Sequence, residues 1–282
     1  MGTVGKQSPL DELIRTIRIK HGTDFSRYRK SCVGRRISHR MSMLGYQRMD
    51  KYLGYLKENP NEMEQLLNVL TIHVTGFFRD NSVFETLAKR IFPWIIDKKL
   101  SCGPGSVRIW SAGCSTGEET YSIAMQLVDR LRREKVKLEV EIFGTDISEE
   151  SCRIATKGVY PEKKLEDVPR LFRTRYFEVV EEGYGIAPEI RSCVEFKVHD
   201  LFSPPPYLML DLIVCRNVLI HFNQFSRNRV MFNFHSALDE DGVLLLGKSE
   251  AVTGGGLELF ELINPRNKIY RKRVHSSCDK EA

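Results

Sequence analysis

The feature that most constrains this chain is a change of grammar near residue 106. Beyond it, short apolar runs alternate with stretches of helical periodicity. Val107 to Ser111 reads as a strand, Glu118 to Arg133 as a helix and Val140 to Thr145 as a second strand, with Ser148 capping another helix. Val194 to Val198 and Leu210 to Cys215 read as further strands, followed by a helix over Ser226 to Leu238 and the strand Val243 to Leu246. That rhythm predicts an α/β fold, a mostly parallel sheet with helices on both faces. Leu257 to Lys272 is expected to close the sheet as an antiparallel hairpin around Asn264-Pro265-Arg266-Asn267.

Residues 1–99 read instead as helical throughout. Leu10, Leu13, Ile14 and Ile17 share one face of a helix. Asp24 is placed to cap a second helix with Val33, Ile37, Met41 and Leu44 on its apolar side. Asn59-Pro60 marks a turn, and Pro93 a kink or break in a helix over Ser82 to Lys98. The expected division is a helical domain over 1–99, a linker over 100–106 and an α/β domain over 107–282. Residues 158–192, rich in charge and aromatics, are too long for a bare loop and predict a small inserted β-subdomain.

Composition narrows the function classes. Hydrophobic residues make up 41% and charged residues 28% of the 282, ordinary for a soluble globular protein. The start, Met1 to Leu10, has no signal-peptide core, and no apolar run reaches the roughly 20 residues that cross a bilayer, so a cytoplasmic protein is expected. Seven scattered cysteines without a C-x-x-C spacing fit a reducing compartment, and no metal site is expected from the histidines. The net charge of +6 is modest and selects neither nucleic acid nor an acidic partner by itself.

The strongest site signal is Gly113-Cys114-Ser115-Thr116-Gly117-Glu118-Glu119, between the first strand of the α/β region and its helix. Glycine there lets the backbone approach a ligand. The spacing is not that of a dinucleotide fingerprint, and alone it reads equally as a plain turn. Asp146, at the tip of the second strand, is placed to accept from a ribose diol, or else to serve as a cap or turn residue. Together they point to an adenosine pocket without a long phosphate cradle, which suits S-adenosylmethionine. Ser203-Pro204-Pro205-Pro206-Tyr207 looks like the motif of amino-methylating nucleic-acid enzymes but precedes the strand Leu210 to Cys215 rather than following it, and reads as a loop.

Five landmarks then resemble the chemotaxis receptor methyltransferase family, CheR: Thr75-Gly76-Phe77-Phe78-Arg79, Ser115 to Ser122, Thr145-Asp146-Ile147, Cys215 to Ile220 and Gly247-Lys248-Ser249-Glu250. The resemblance covers Leu10 to Arg273. It implies an all-α N-terminal domain and a class I methyltransferase domain with the inserted β-subdomain. It also implies methyl transfer from S-adenosyl-L-methionine, with S-adenosyl-L-homocysteine as product, to glutamate side chains of chemoreceptor cytoplasmic helices. Carried over by motif, the cofactor residues are His73, Thr75, Arg79, Gly113, Glu119, Asp146, Asp200, Leu201, Arg216 and Asn217, with Arg79 and His221 as the catalytic pair. Three positions depart from the family pattern: His73 replaces an Asn, Asp200-Leu201 replaces Asn-Leu, and His221 replaces a tyrosine thought to lie near the transferred methyl. His221 is equally readable as a core or loop histidine.

A basic run that includes Arg35, Arg36 and Arg40 is either a solvated helix face or a dock for an acidic receptor helix. Phe177 to Val194 is shorter than in family members that bind a receptor's C-terminal pentapeptide, so a pentapeptide-independent, monomeric enzyme without nucleic-acid partners is expected. The rival readings are a methyltransferase for another carboxylate, a non-catalytic cofactor-sensing adaptor and, third, an RNA methyltransferase, which the modest basicity disfavours.

Overall fold

The computed structural model describes residues 8–71, 75–102 and 105–274. It divides into two compact units, Met1–Ile72 with His221–Arg227, and His73–Ile220 with Asn228–Ala282.

In the first unit, helix α1 (Pro9–His21) starts where Ser8 accepts the Asp11 N–H and Pro9 occupies the first turn. It stops at Gly22, whose φ of 74° only glycine adopts without strain. Asp24 does not cap the next helix: it accepts the Ser26 N–H at 3.1 Å and caps a single 3₁₀ turn, Phe25–Arg27. Helices α2 (Lys30–Met43), α3 (Met49–Glu58) and α4 (Pro60–Leu70) follow. The periodic apolar residues Leu13, Ile17, Val33, Ile37 and Leu66 meet in one core, with Phe25 between them. Segment His221–Arg227 joins this unit through Arg29 N–H to His221 O (2.8 Å), Asn223 N–H to Arg27 O (3.0 Å) and the edge-on contact of Phe222 with Tyr28.

The second unit holds a seven-stranded sheet built from β1 (Ser106–Ala112), β2 (Glu139–Asp146), β6 (Val194–Val198), β7 (Leu210–Cys215), β8 (Leu238–Leu246), β9 (Phe260–Asn264) and β10 (Ile269–Lys272). Its order is β6-β2-β1-β7-β8-β10-β9, parallel from β6 to β8 and antiparallel at β10 and β9. The chain runs outward from β1 in both directions, so the order reverses between β1 and β7. This is the doubly wound class I methyltransferase arrangement. The insertion is a three-stranded antiparallel sheet, β3 (Val159–Tyr160), β5 (Gly183–Ile186) and β4 (Phe177–Val180) in that spatial order, with helix α9 (Arg170–Tyr176). Helices α7 (Glu118–Glu134) and α8 (Glu149–Lys157) follow β1 and β2, and α11 (Gln224–Ala237) precedes β8; α10 (Pro188–Arg191) and α12 (Gly256–Leu259) are single turns.

The division falls at 72/73, not at a linker over 100–106. Helices α5 (Asn81–Thr86) and α6 (Phe92–Cys102) belong to the second unit because Phe84, Leu87, Phe92, Ile95 and Ile96 share a core with Ile109 and Leu245 of the sheet and Ile123 of α7. Helical periodicity shows an apolar face but not which core receives it. Between α5 and α6, Leu87–Ile91 forms a π turn in which the Phe92 N–H reaches Leu87 O. The wider turn absorbs the missing N–H and the ring of Pro93, where a kink or break was expected.

In the first unit, Glu62 is 5% exposed and takes two hydrogen bonds from Arg40, at 2.9 and 2.6 Å, and one from the Tyr52 hydroxyl at 2.7 Å. The Arg40 bonds hold its pKa below the usual carboxylate value in spite of burial. Removing one partner of such a pair strands the other. Glu62→Ala is expected to destabilise the unit by about 3 kcal/mol, read as faster hydrogen–deuterium exchange in α2 and α4; unchanged protection there would show the pair to be dispensable.

Candidate active site

The ends of four neighbouring strands carry the residues that the sequence singles out. Gly113 follows β1, Asp146 ends β2, Asp200 and Leu201 follow β6, and Arg216 and Asn217 follow β7. These are carboxyl ends, and β1 and β7 flank the reversal of strand order, where open α/β sheets bind their ligands.

The turn after β1 is fixed by backbone bonds. Gly113 and Cys114 N–H groups both donate to Thr145 O, at 2.7 and 2.9 Å. Gly113 has φ of 78°, and a Cβ there would lie 2.5 Å from Cγ2 of Val218, so the turn and the loop after β7 require glycine to pack. Asp146 is half-buried, and both of its oxygens receive backbone bonds: Oδ2 from Ser115 at 2.9 Å and Oδ1 from Ser148 at 3.0 Å. It therefore shapes two turns, and each oxygen keeps a second lone pair for a ligand hydroxyl. Ser148 caps α8 by accepting the Ser151 N–H.

Arg216 is the centre of the charged part of the site. Its side chain is 2% exposed. Nη1 donates to Glu119 at 2.9 Å, and Nη2 donates to Arg79 O at 3.1 Å and to the Asp80 carboxylate. Lys248 also pairs with Asp80, at 3.2 Å, and the Ser111 hydroxyl donates to the far oxygen of Glu119 at 3.2 Å. Burial alone would raise the Asp80 pKa, but the Lys248 hydrogen bond and the charges of Arg216, Lys248 and Arg79 outweigh it and lower it. Arg79 itself is exposed. Thr75 is drawn in through its carbonyl, which accepts from Lys164 of the inserted subdomain at 3.2 Å, while the same Nζ pairs with buried Glu118 at 2.8 Å. Phe77 and Phe78 are core aromatics, Phe77 edge-on to Tyr160 and Phe78 stacked on Phe172. Phe78, Asp80, Ser115 and Asn217 all have positive φ, a concentration of strain around one place.

Two supporting residues carry no signal that periodicity or local spacing could reveal. Glu250, 4% exposed, accepts the N–H groups of Gly247 (2.7 Å), Asn217 (2.9 Å) and Ile220 (3.2 Å), pinning the loop after β7. Burial still raises its pKa, against those bonds. Asn233 of α11 donates to Leu201 O and Ser203 O, both at 2.8 Å, holding the loop after β6, where Asp200 Oδ1 accepts the Phe202 N–H. The motif Gly247-Lys248-Ser249-Glu250 marks the first; its role needs the fold.

The donor set fits S-adenosylmethionine. Asp146 and Asp200 are acceptors for hydroxyl and amine groups, and Glu119 stands beside a buried guanidinium whose Nε has no partner among the described residues.

His73 falls outside the described residues. Arg35 is exposed, but Arg40 is held by Glu62, and Arg36 donates to Leu70 O and lies 3.2 Å from Nδ1 of His221. His221 groups with the first unit. Burial, then the charges of Arg36, Arg29 and Arg35, depresses its pKa to about 4. Arginine only donates, so Nδ1 accepts and the ring proton sits on Nε2.

A family model described as CheR methyltransferase, SAM binding domain, matches residues 73–269, and one described as CheR methyltransferase, all-alpha domain, matches 9–71. Both boundaries agree with the division seen here. A chemotaxis protein methyltransferase of Borreliella burgdorferi is 32% identical over 86% of this chain and 89% of its own length. One from Listeria innocua serovar 6a is 29% identical over 84% and 88%. A probable biofilm formation methyltransferase, WspC, of Pseudomonas aeruginosa is 33% identical over 86% of this chain and 56% of its own length.

The depressed His221 pKa has a stability consequence. An unfolded histidine takes up its proton near pH 6.5, whereas the folded one resists it down to about pH 4. Stability from this group is full above pH 6.5 and is lost as pH falls toward 4. His221→Phe is expected to flatten the pH dependence of unfolding in that window; an unchanged slope would show that the ring is not buried against its arginines.

Proposed function

The chain belongs to the CheR methyltransferase family, an S-adenosylmethionine-dependent methyltransferase by fold and cofactor domain, and from that premise we propose that its acceptor is the side-chain carboxylate of glutamates on chemoreceptor cytoplasmic helices. The observation that carries this is the alignment of Asp200, Asp146, Gly113, Glu119 and Arg216 along the carboxyl ends of β6, β2, β1 and β7, in a chain whose relatives are named chemotaxis protein methyltransferases. When bound, S-adenosylmethionine supplies an electrophilic methyl group.

The protein's own part is placement. A glutamate is already ionised near neutral pH, with a pKa of about 4.3, so no general base is required. Orientation of the carboxylate can contribute roughly 7–11 kcal/mol. Arg216 is committed to Glu119 and Asp80, which makes it a holder of the site. Arg79 is exposed, and its backbone is fixed through its carbonyl, so its guanidinium is the group assigned to steer the acceptor carboxylate. Asp146, with Asp200 and Leu201, is assigned to the ribose and adenine ends. His221 is assigned a neutral Nε2–H donor. Of the basic run, Arg35 is the better candidate for receptor docking, because Arg36 and Arg40 have structural partners of their own.

A second reading, transfer to a carboxylate protein outside chemotaxis, is favoured by the relative named for biofilm formation. Incubation with methyl-labelled cofactor and purified receptor fragments is expected to give base-labile esters on glutamate, and Arg79→Ala to lower turnover about 100-fold. Label on other proteins alone selects the second reading; label on nucleic acid, or an Arg79→Ala enzyme at full rate, overturns the proposal.

Pentapeptide independence is part of this reading. Its support is the shortness of the β4–β5 hairpin, where only Glu181 and Glu182 join the strands. Calorimetry with a receptor's C-terminal pentapeptide is expected to give no binding heat; micromolar affinity would refute independence.

A further inference from the structure

Away from the candidate active site, the second unit contains a cavity of about 230 Å³ between the π turn with α6 and the β8–β10–β9 edge of the sheet. Its walls are apolar: Ile91 and Trp94 on the helical side, Val243, Ile263 and Ile269 on the strands. Asn264 and Thr86 add two neutral polar groups. The charged groups that line it are both cations, Arg90 and Arg271, and no carboxylate lines it.

Those arginines differ from the paired ones in this chain. Arg40, Arg108, Arg130, Arg153, Arg173 and Arg216 each have a carboxylate partner. Among the described residues Arg90 and Arg271 have none. Glu261, the register partner of Arg271 on β9, forms no ion pair with it. The Arg271 guanidinium lies 5.8 Å over the ring of Trp94, and its Nε is buried without a hydrogen-bond partner. A buried donor left unmet is uncommon in a folded protein and marks a place where a partner is missing.

An apolar chamber with an aromatic wall and two arginines in its lining is a complement to one kind of ligand. The body must be apolar to replace water against Ile91, Val243 and Ile269. The head must be a planar acceptor, because a guanidinium fork matches a carboxylate with two parallel bonds. The volume is below that of pockets that hold drug-sized molecules, which limits the body to a ring or a short chain. A polyphosphate or dinucleotide is excluded by the apolar walls and the small volume.

We propose that this cavity is a binding site for a small organic monocarboxylate with an aromatic or short aliphatic body, held by Arg271 and Arg90 over Trp94. Its setting gives an occupant leverage. Asn267, in the loop between β9 and β10, donates to Ser82 O at 3.1 Å and to the Thr86 hydroxyl at 2.7 Å. The cavity thus lies where the hairpin grips α5, the helix that begins next to Asp80.

The test is titration of the full chain, saturated with S-adenosylhomocysteine so that the cofactor site is filled. Phenylacetate, benzoate and hexanoate are the probes, followed by tryptophan fluorescence and by calorimetry. Phenylacetate is expected to bind saturably with a Kd of about 1 mM or tighter, and neutral phenylacetamide roughly tenfold more weakly. Arg271→Gln is expected to cost about tenfold in affinity. Arg90→Gln, at an exposed position, is expected to weaken binding in the same direction and serves where the hairpin variant does not fold. Trp94→Phe should abolish the fluorescence change while calorimetry still records binding. Failure of all three acids to bind saturably, equal affinity for the amide, or affinity unchanged in both arginine variants would overturn the assignment.

Discussion

The buried guanidinium of Arg216 is the interaction on which the arrangement of the site depends. A cation with 2% exposure is tolerated only where anions compensate it, and here Glu119 and Asp80 do so from opposite flanks. Glu119 opens α7, Asp80 stands at the start of α5 and Arg216 ends the run of β7, so one side chain fixes three elements of the second unit relative to each other. Because Arg216 also bonds the Arg79 carbonyl, the backbone that carries Arg79 is held while its side chain stays exposed. The positive φ at Phe78 and Asp80 costs of order 1–3 kcal/mol each. Burial of the two phenylalanines and the ion pairs of Asp80 are the interactions positioned to offset it.

A second layer of control uses carboxylates and an amide against backbone N–H and C=O groups. Asp146 ties the turn after β1 to the start of α8, Glu250 ties the loop after β7, and Asn233 ties the loop after β6. These loops sit at the carboxyl ends of parallel strands, where the ladder stops and peptide groups lose their partners. Each polar side chain therefore satisfies what the end of a strand leaves open. The same bonds keep the atoms of the candidate site in place, which explains why supporting residues and candidate ligand-binding residues are interleaved along the chain.

This division also sets what could be read from the sequence. Strands β1, β2, β6 and β7, helix α7, the closing hairpin and the inserted sheet follow from periodicity, turn residues and one over-long irregular stretch, all local properties. The glycine turn and Asp146 were legible because their positions relative to a strand are local too. Partners distant in sequence were not. Glu62 with Arg40, Glu250 with Asn217, and Asn233 with Leu201 are joined by the fold. So Arg40 read as a surface cation free to dock a receptor, although Glu62 already holds it. The domain boundary failed for a related reason: α5 and α6 look as helical as α1 to α4, and only packing shows that their apolar faces belong to the sheet core.

His221 shows how such a distant contact can set the charge and tautomer of a side chain. A phenol, the usual group at this position in the family, is neutral up to about pH 10 and donates one hydrogen bond. An unperturbed imidazole would be partly charged near neutrality and could carry its proton on either nitrogen. Here, burial beside Arg36, Arg29 and Arg35 keeps the ring neutral down to about pH 4. The donor on Arg36 faces Nδ1, which leaves the proton on Nε2. The ring thus offers zero charge and one donor across the physiological range, as the phenol does. The arginines read in the sequence as either a solvated helix face or a receptor dock are, in part, what keeps that histidine neutral.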